Sequence, residues 1–511
     1  MSTPAEPSRH LDGRTPEDAD GRAHASPAAA QPTQRQPSEE ALTLTAFDPP
    51  ADQTDALLSE VGDLVAQLVT TASDRDVLGH DRGDELIAQL LDARPGDGPA
   101  ALTDTLDQLR AVLATGVDNA APGELAYIPG SGLLTAALGD LLASVANRYT
   151  GMSGFTPAAV ALEQGVLRWL TELFELPERS QGLLLSGGSN ANLTALVTAR
   201  EKHADGRADL ATIYVGEHAH ASVRKAARIA GIPGPQIRVC GSSDGARLDP
   251  ECVRVQVKQD LADGYRPTAI VGAAGTTNAG AIDPLTHLAD LADELDVWFH
   301  VDAAYGGFFQ LTDRGRQRLR GIERADSITL DPHKSLYLPF GTGALLVRER
   351  DDLAHAFAES GDYLRDHSED LDTLPDFSSI TPELTREWRG LRLWLPLQLH
   401  GVASFERALD TTLDLAEHAW RELDADERVE VVGEPDLSIL VFRVPGGDAA
   451  QDAAVRTINA DGRVRLSSTV IGGRVAVRLA ILSHRTTSTT IDTALELIRV
   501  AAEAAGTHDG H

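Results

Sequence analysis

Lysine is almost missing from this chain. Of 45 basic side chains in 511 residues, only Lys202, Lys225, Lys258 and Lys334 are lysines. Cysteine is scarcer still: Cys240 and Cys252 are too few for a disulfide framework or a cysteine-based metal site. No HExxH-type pairing among the 16 histidines points to a metal either. No apolar run approaches the roughly 18 residues that cross a bilayer. Residues 1–40 are polar and lack a signal-type apolar core. Positive charge is outweighed, and a formal net charge of -32 opposes binding to a nucleic-acid backbone or an anionic membrane. Adaptation to high salt and a GC-rich genome that favours arginine codons account for this balance equally well. A cytoplasmic chain is the expectation.

What is present is an apolar share of 42%, ordinary for a globular protein. Residues 1–45 are rich in Pro, Ala, Ser and Gln without apolar periodicity, which predicts a disordered tail. Helical periodicity marks an N-terminal segment over 46–150. From residue 182 the pattern changes to short, mostly continuous apolar runs: 182–186, 212–216, 237–240, 268–274, 297–304, 327–330 and 343–348. Continuous runs are strands covered on both faces, and their alternation with helices predicts a mostly parallel α/β sheet. Only about a dozen residues join the last two runs. That is too short for a helical crossover, so the last strand should run antiparallel. The large α/β domain is placed over 151–390, with a mobile loop near 360–388, and a small C-terminal α+β domain over 391–511.

The ends of these strands carry the chemistry. "LLLSGGSNANL" is a strand, a glycine turn and a helix start, where Gly187, Gly188, Ser189 and Asn190 could hold an anion or simply cap a helix. "GEHAHASV" puts His218 and His220 after the next strand, either structural or placed for stacking or acid–base work. Thr276 and Thr277 follow another strand in what could be a plain turn. Asp302 ends a hydrophobic strand, where a carboxylate needs a partner: an arginine, or a protonated ring nitrogen with Ala304 leaving room for a flat ring. Lys334, in "LDPHKSLYLPFG", follows the strand at 327–330, and an amine there can form a Schiff base as an arginine cannot. Parallel strands deliver all of these to one edge. Pyridoxal 5'-phosphate, with a phosphate, a basic ring nitrogen and an aldehyde, would use them together.

The set "SGGSNAN", "HAHASV", "GTTNAGAID", "HVDAAYGG" and "DPHKSLYLPFGTGALLV" resembles the group II pyridoxal-phosphate-dependent amino acid decarboxylases, such as aromatic L-amino acid decarboxylase and glutamate decarboxylase. The resemblance spans about residues 50–505. It implies a type I pyridoxal-transferase fold with a seven-stranded, mostly parallel sheet. It implies that Lys334 forms the Schiff base, Asp302 holds the ring nitrogen protonated and His220 stacks on the ring. Gly188, Ser189 and Asn190 match the phosphate turn, Thr277 matches a threonine that supports the aspartate, and Ser327 and His333 match phosphate-side positions. Arg478 resembles a small-domain arginine near the site. Tyr127 and Pro129, in "LAYIPGSG", match a substrate-side segment, though Ile128 and Gly130 depart from the aromatic-acid enzymes. A homodimer with the site at its interface is implied. The expected reaction converts an L-amino acid to an amine and CO2. Counting back from Trp388 puts Phe377 where many relatives carry a loop tyrosine that protonates Cα. That departure suggests an alternative, oxidative decarboxylation–deamination giving an aldehyde. An aminotransferase of the same fold and a non-enzymatic pyridoxal-phosphate-binding protein are the other readings.

Overall fold

A computed structural model describes residues 42–44, 46–79, 83–128, 130–242, 245–359 and 374–506. Most of the expected tail, part of the expected mobile loop (360–373) and Pro129 lie outside the described residues.

The N-terminal segment is helical: α1 (Ala51–Thr70), α2 (Asp84–Asp92), α3 (Leu102–Leu113) and α4 (Leu134–Ala146), with α5 (Pro157–Leu173) leading into the sheet. Pro157 opens α5 at a first-turn position, where its missing N–H costs nothing. Then strands and helices alternate: β1 (Gln181–Leu185), α6 (Gly188–Ala204), β2 (Ala211–Gly216), α7 (Ala221–Ile229), β3 (Ile237–Cys240), α8 (Pro250–Ala262), β4 (Arg266–Ala273), α9 (Leu285–Leu295), β5 (Trp298–Asp302). There follow α10 (Asp313–Arg318), β6 (Ser327–Leu330), the single turn α11 (Pro332–Ser335), β7 (Gly343–Val347) and α12 (Arg350–Phe357).

The seven strands lie in the order β1-β7-β6-β5-β4-β2-β3. All are parallel except β7, which pairs antiparallel with both β1 and β6, as the short connection requires. Every residue of β1, β2, β5, β6 and β7 is buried, so both faces of the sheet are covered. Edge strand β3 is the least buried.

The chain then runs through α13 (Gly390–His400) and the long α14 (Val402–Asp424). A second sheet, ordered β10-β11-β9-β8, is built from β8 (Glu430–Val431), β9 (Ile439–Arg443), β10 (Ser467–Ile471) and β11 (Arg474–Ala480), with α15 (Asp448–Ala460) and α16 (Ser488–Gly506). It is antiparallel throughout. The loop after α3 is stitched to this sheet: Leu125 N–H donates to Arg465 O, Arg465 N–H to Gly123 O and Ala480 N–H to Leu125 O. Arg465 also holds the buried Glu124 carboxylate with two bonds of 2.7 Å.

α12 precedes the loop expected near 360–388, and the described part of that loop contains a short 3-10 turn at Phe377–Ser379.

Candidate active site

The carboxyl ends of β1, β2, β4, β5 and β6 open on one cavity of about 750 Å³, which the small domain closes through Ile439 and Arg478. Each end contributes one part.

After β1 the chain turns through Gly187, whose φ of 151° suits glycine, into α6. The start of α6 carries no side-chain cap. Asn190 Nδ2 donates instead to Ser186 Oγ at 2.8 Å. The plain-cap reading of Ser189 and Asn190 is therefore overturned; Asn190 N–H donates to Gly187 O at 3.0 Å, and the N–H groups of Gly188 and Ser189 face the anion site. Gly188 fits nothing larger: a Cβ would meet Asp331 Oδ2 at 2.8 Å and Ala304 Cβ at 3.2 Å.

After β2, His220 caps α7 and is open to the cavity. Its Nδ1 lies 2.7 Å from Ser222 Oγ and accepts from Ser222 N–H. Burial lowers its pKa, against the pull of the nearby Asp302 charge. His218 points elsewhere, bonded to Asn278 Nδ2 and Gly245 O. After β4, Thr276 closes a turn with Ala281, while Thr277 lines the cavity.

Asp302 ends β5 and is 9% exposed. Its carboxylate accepts from Asn192 Nδ2 at 3.0 Å and from Ala304 N–H at 3.2 Å. No arginine pairs with it among the described residues. Two expectations are corrected here. Thr277 does not support the aspartate; Asn192, reaching across from α6, does. Ala304 lies past the end of β5 in a turn, yet it still lines the cavity.

After β6, Lys334 sits in α11 with Nζ 3.0 Å from Asp331 Oδ2. His333 Nδ1 donates to Thr342 O at 2.6 Å, and its Cε1 would lie 3.6 Å from a Cβ on Gly187, beside the anion turn. Ser327 is a correction. It starts β6, at the far end of the strand from the cavity, and is held by Trp298 Nε1 and His300 Nδ1. Three residues of β6, at about 3.3 Å rise each, lie between it and the ligand edge.

Arg478 of β11 lines the cavity and is 4% exposed. Nη1 donates to Tyr127 O at 2.9 Å, while Nε and Nη2 have no partner among the described residues. Burial pushes its pKa down to about 10. Tyr127 holds a left-handed φ of 54°, with the Arg465 guanidinium 5.2 Å from its ring centre. Phe377 is the second misplaced residue. It is fully buried under the guanidinium of Arg386, 4.4 Å from its ring centre, and lines no part of this cavity.

Sequence reasoning missed Asn192 and Asp331. Asp331 was within reach, three residues before Lys334 in "DPHK"; Asn192 closes the motif "SGGSNAN", but nothing local gave it a role, since its partners are distant in sequence.

The cavity fits pyridoxal 5'-phosphate. It joins a glycine cradle at a free helix N-terminus, an amine, a carboxylate without a cation and an arginine with unsatisfied donors. The family model for the pyridoxal-dependent decarboxylase conserved domain matches residues 85–445. The chain belongs to that family. It is 32% identical over 459 residues to an aromatic-L-amino-acid decarboxylase of Bacillus atrophaeus, covering 88% of this chain and 94% of the relative. It is 30% identical over 461 residues to phenylacetaldehyde synthase of Arabidopsis thaliana, covering 86% and 94%. The crystal structure of Oryza sativa TDC with PLP and tryptamine superposes with a TM-score of 0.84 at 28% identity, covering 90% of this chain and 99% of that one. The enzyme is thus a carboxy-lyase with pyridoxal 5'-phosphate as cofactor, converting an L-amino acid to its amine and CO2.

Proposed function

We propose that the substrate is an L-amino acid with an aromatic side chain and that the cavity residues divide the work as follows. The carrying observation is that Lys334 Nζ, the Asp302 carboxylate and the uncapped start of α6 open on one cavity. Bound there, pyridoxal 5'-phosphate supplies an aldehyde for an amine and a protonated ring that accepts the electron pair of the breaking Cα–carboxylate bond. The N–H groups of Gly188 and Ser189 would hold the phosphate, with His333 beside them. Asp302 keeps the proton on the ring nitrogen, and His220 covers the ring face. Asp331 orients Nζ of Lys334. Arg478 offers Nε and Nη2 to the substrate carboxylate, since a buried guanidinium with free donors demands an acceptor.

The side-chain class is supported by the aromatic-acid decarboxylases among the relatives and by the apolar Leu193 and Ile439 in the cavity wall; Ile128 in the same wall departs from those enzymes. Lys225 also lines the cavity, which disfavours a side chain ending in ammonium. A panel of the twenty amino acids plus 2,4-diaminobutyrate, with products read by mass spectrometry, tests this; turnover confined to diaminobutyrate would overturn it. Borohydride treatment of the loaded enzyme should mark Lys334 and no other lysine.

The aldehyde-forming alternative is the second reading: buried Phe377 does not reach the cavity and so no longer argues for it, but the likeness to phenylacetaldehyde synthase does, while the amine-forming relatives favour the main reading. The tyrosine that the sequence carries nearby, Tyr363, lies outside the described residues. Amine without ammonia or peroxide under oxygen is the expected result.

A second copy of the chain belongs to the same reading. Exposed apolar stripes at helical spacing run along α2 (Ile87, Leu90, Leu91), α3 (Leu109, Val112, Leu113) and α4 (Leu138, Leu141, Leu142, Val145). Stripes of this kind call for a partner. A cytoplasmic location completes the reading. It is supported by Cys240 and Cys252, both free thiols.

A further inference from the structure

We propose that Asn192 is a positioning residue, tying the Asp302 carboxylate and the His220 ring into one directional hydrogen-bond chain that begins at Trp298. The proposal rests on the roles given above to Asp302 and His220.

The direction of every bond follows from what each atom can do. A carboxylate only accepts, so the Asn192 amide must turn Nδ2 toward Asp302 Oδ2, 3.0 Å away. Nδ2 has a second hydrogen, which goes to Ser222 Oγ at 2.9 Å. The amide oxygen is left facing His300 Nε2 at 3.0 Å and can only accept. His300 therefore carries its proton on Nε2. The ring is fully buried and held neutral by that burial, so Nδ1 is an acceptor. It takes the hydroxyl hydrogen of Ser327, 2.8 Å away. Ser327 Oγ in turn accepts from the indole Nε1 of Trp298 at 2.7 Å.

The second branch is equally determined. Ser222 Oγ accepts from Asn192, so its own hydrogen goes to His220 Nδ1 at 2.7 Å. The Ser222 backbone N–H donates to the same nitrogen. A neutral His220 therefore carries its proton on Nε2. One amide thus orients Asp302 and, through Ser222 Oγ, reinforces the His220 tautomer that the Ser222 backbone N–H also selects. A fully satisfied chain in a buried site has a single arrangement, which is what a group placed against a ring nitrogen requires.

Neutron diffraction on crystals of the loaded wild-type enzyme locates these hydrogens without any variant. The expected result is deuterium on Nε2 and none on Nδ1 at both His220 and His300; deuterium on Nδ1 of His220 overturns the proposal. Asn192→Leu, checked for folding by its melting temperature, should lower cofactor affinity about tenfold to a hundredfold, the scale of a lost bond to a charged group. It should reduce kcat more than KM. Asn192→Leu with wild-type cofactor affinity and kcat sinks the proposal. Full activity in Asp302→Asn or His220→Phe would instead sink the site reading, with the hydrogen positions standing or falling separately.

Discussion

At the scale of single residues, the site is decided by contacts too tight to admit substitution. Gly188→Ala is the sharpest case. Its methyl would have to share space with Asp331 Oδ2 at 2.8 Å and Ala304 at 3.2 Å, neither on a flexible arm. We expect cofactor affinity to fall at least tenfold and, because the clash is with protein atoms, the melting temperature of the cofactor-free protein to fall as well; equilibrium dialysis against pyridoxal 5'-phosphate and thermal unfolding measure the two. His300 supplies a pH dependence. In the unfolded chain its ring takes up a proton near pH 6.5, whereas burial holds the folded value down to about 4. The folded state therefore refuses a proton that the unfolded state binds. Its contribution is complete above pH 6.5 and declines as pH falls toward 4, by roughly 3 kcal/mol. Urea unfolding at pH 7 and pH 5 should show the loss, and His300→Gln should flatten it. Lys334, Asp302 and His220 were legible in the sequence because each follows a recognisable strand, and strand ends meet at one edge. Asn192 was not, because its partners lie 30 and 110 positions away. Ser327 was misread because motif proximity to Lys334 conceals the length of a strand. Phe377 was misread because a gapless count says nothing of burial.

At the scale of elements, the site depends on how closely three backbones approach. A Cβ on Gly343, the first residue of β7, would lie 2.4 Å from Gly187 Cα, so the antiparallel strand and the anion turn are pressed together. That β7 would reverse was legible from the length of its connection; that it would brace the phosphate turn was not. The chain after residue 374 is fixed by a buried pair. Arg386 and Glu163 are both fully buried and bonded to each other, and Arg386 also donates to Leu184 O and Thr150 Oγ1. Glu163 accepts in addition from Gly390 N–H. Leu184 is one residue from the end of β1, so this pair joins the start of α13 to the strand that carries the anion turn. Removing one partner strands a buried charge. Glu163→Ala should cost about 3–5 kcal/mol in urea unfolding, and Glu163→Leu with Arg386→Met should recover most of it. A double variant no more stable than the single one would refute the pairing as the cause.

At the scale of the whole molecule, charge and apolar surface act against each other. Each chain carries a formal charge of -32, so bringing two copies together is opposed at any separation shorter than the screening length. The stripe on α4, with Leu141 50% and Val145 76% exposed, is apolar and does not depend on salt for its attraction in the same way. Near 0.01 M salt the Debye length is about 30 Å and repulsion reaches across a whole interface; near 1 M it is about 3 Å and only the stripe is felt. Exposed ion pairs weaken over the same range, but each contributes less than about 1 kcal/mol. Repulsion therefore dominates the salt dependence. On the proposed pairing of two copies, the dissociation constant from sedimentation should fall steadily as KCl rises from 0.01 to 1 M, and the melting temperature should rise with it. Leu141→Glu adds charge to the stripe itself and should shift the whole curve toward monomer without reversing its slope. A dissociation constant that climbs with salt would mean that cross-subunit ion pairs, not the apolar helices, hold the two copies together.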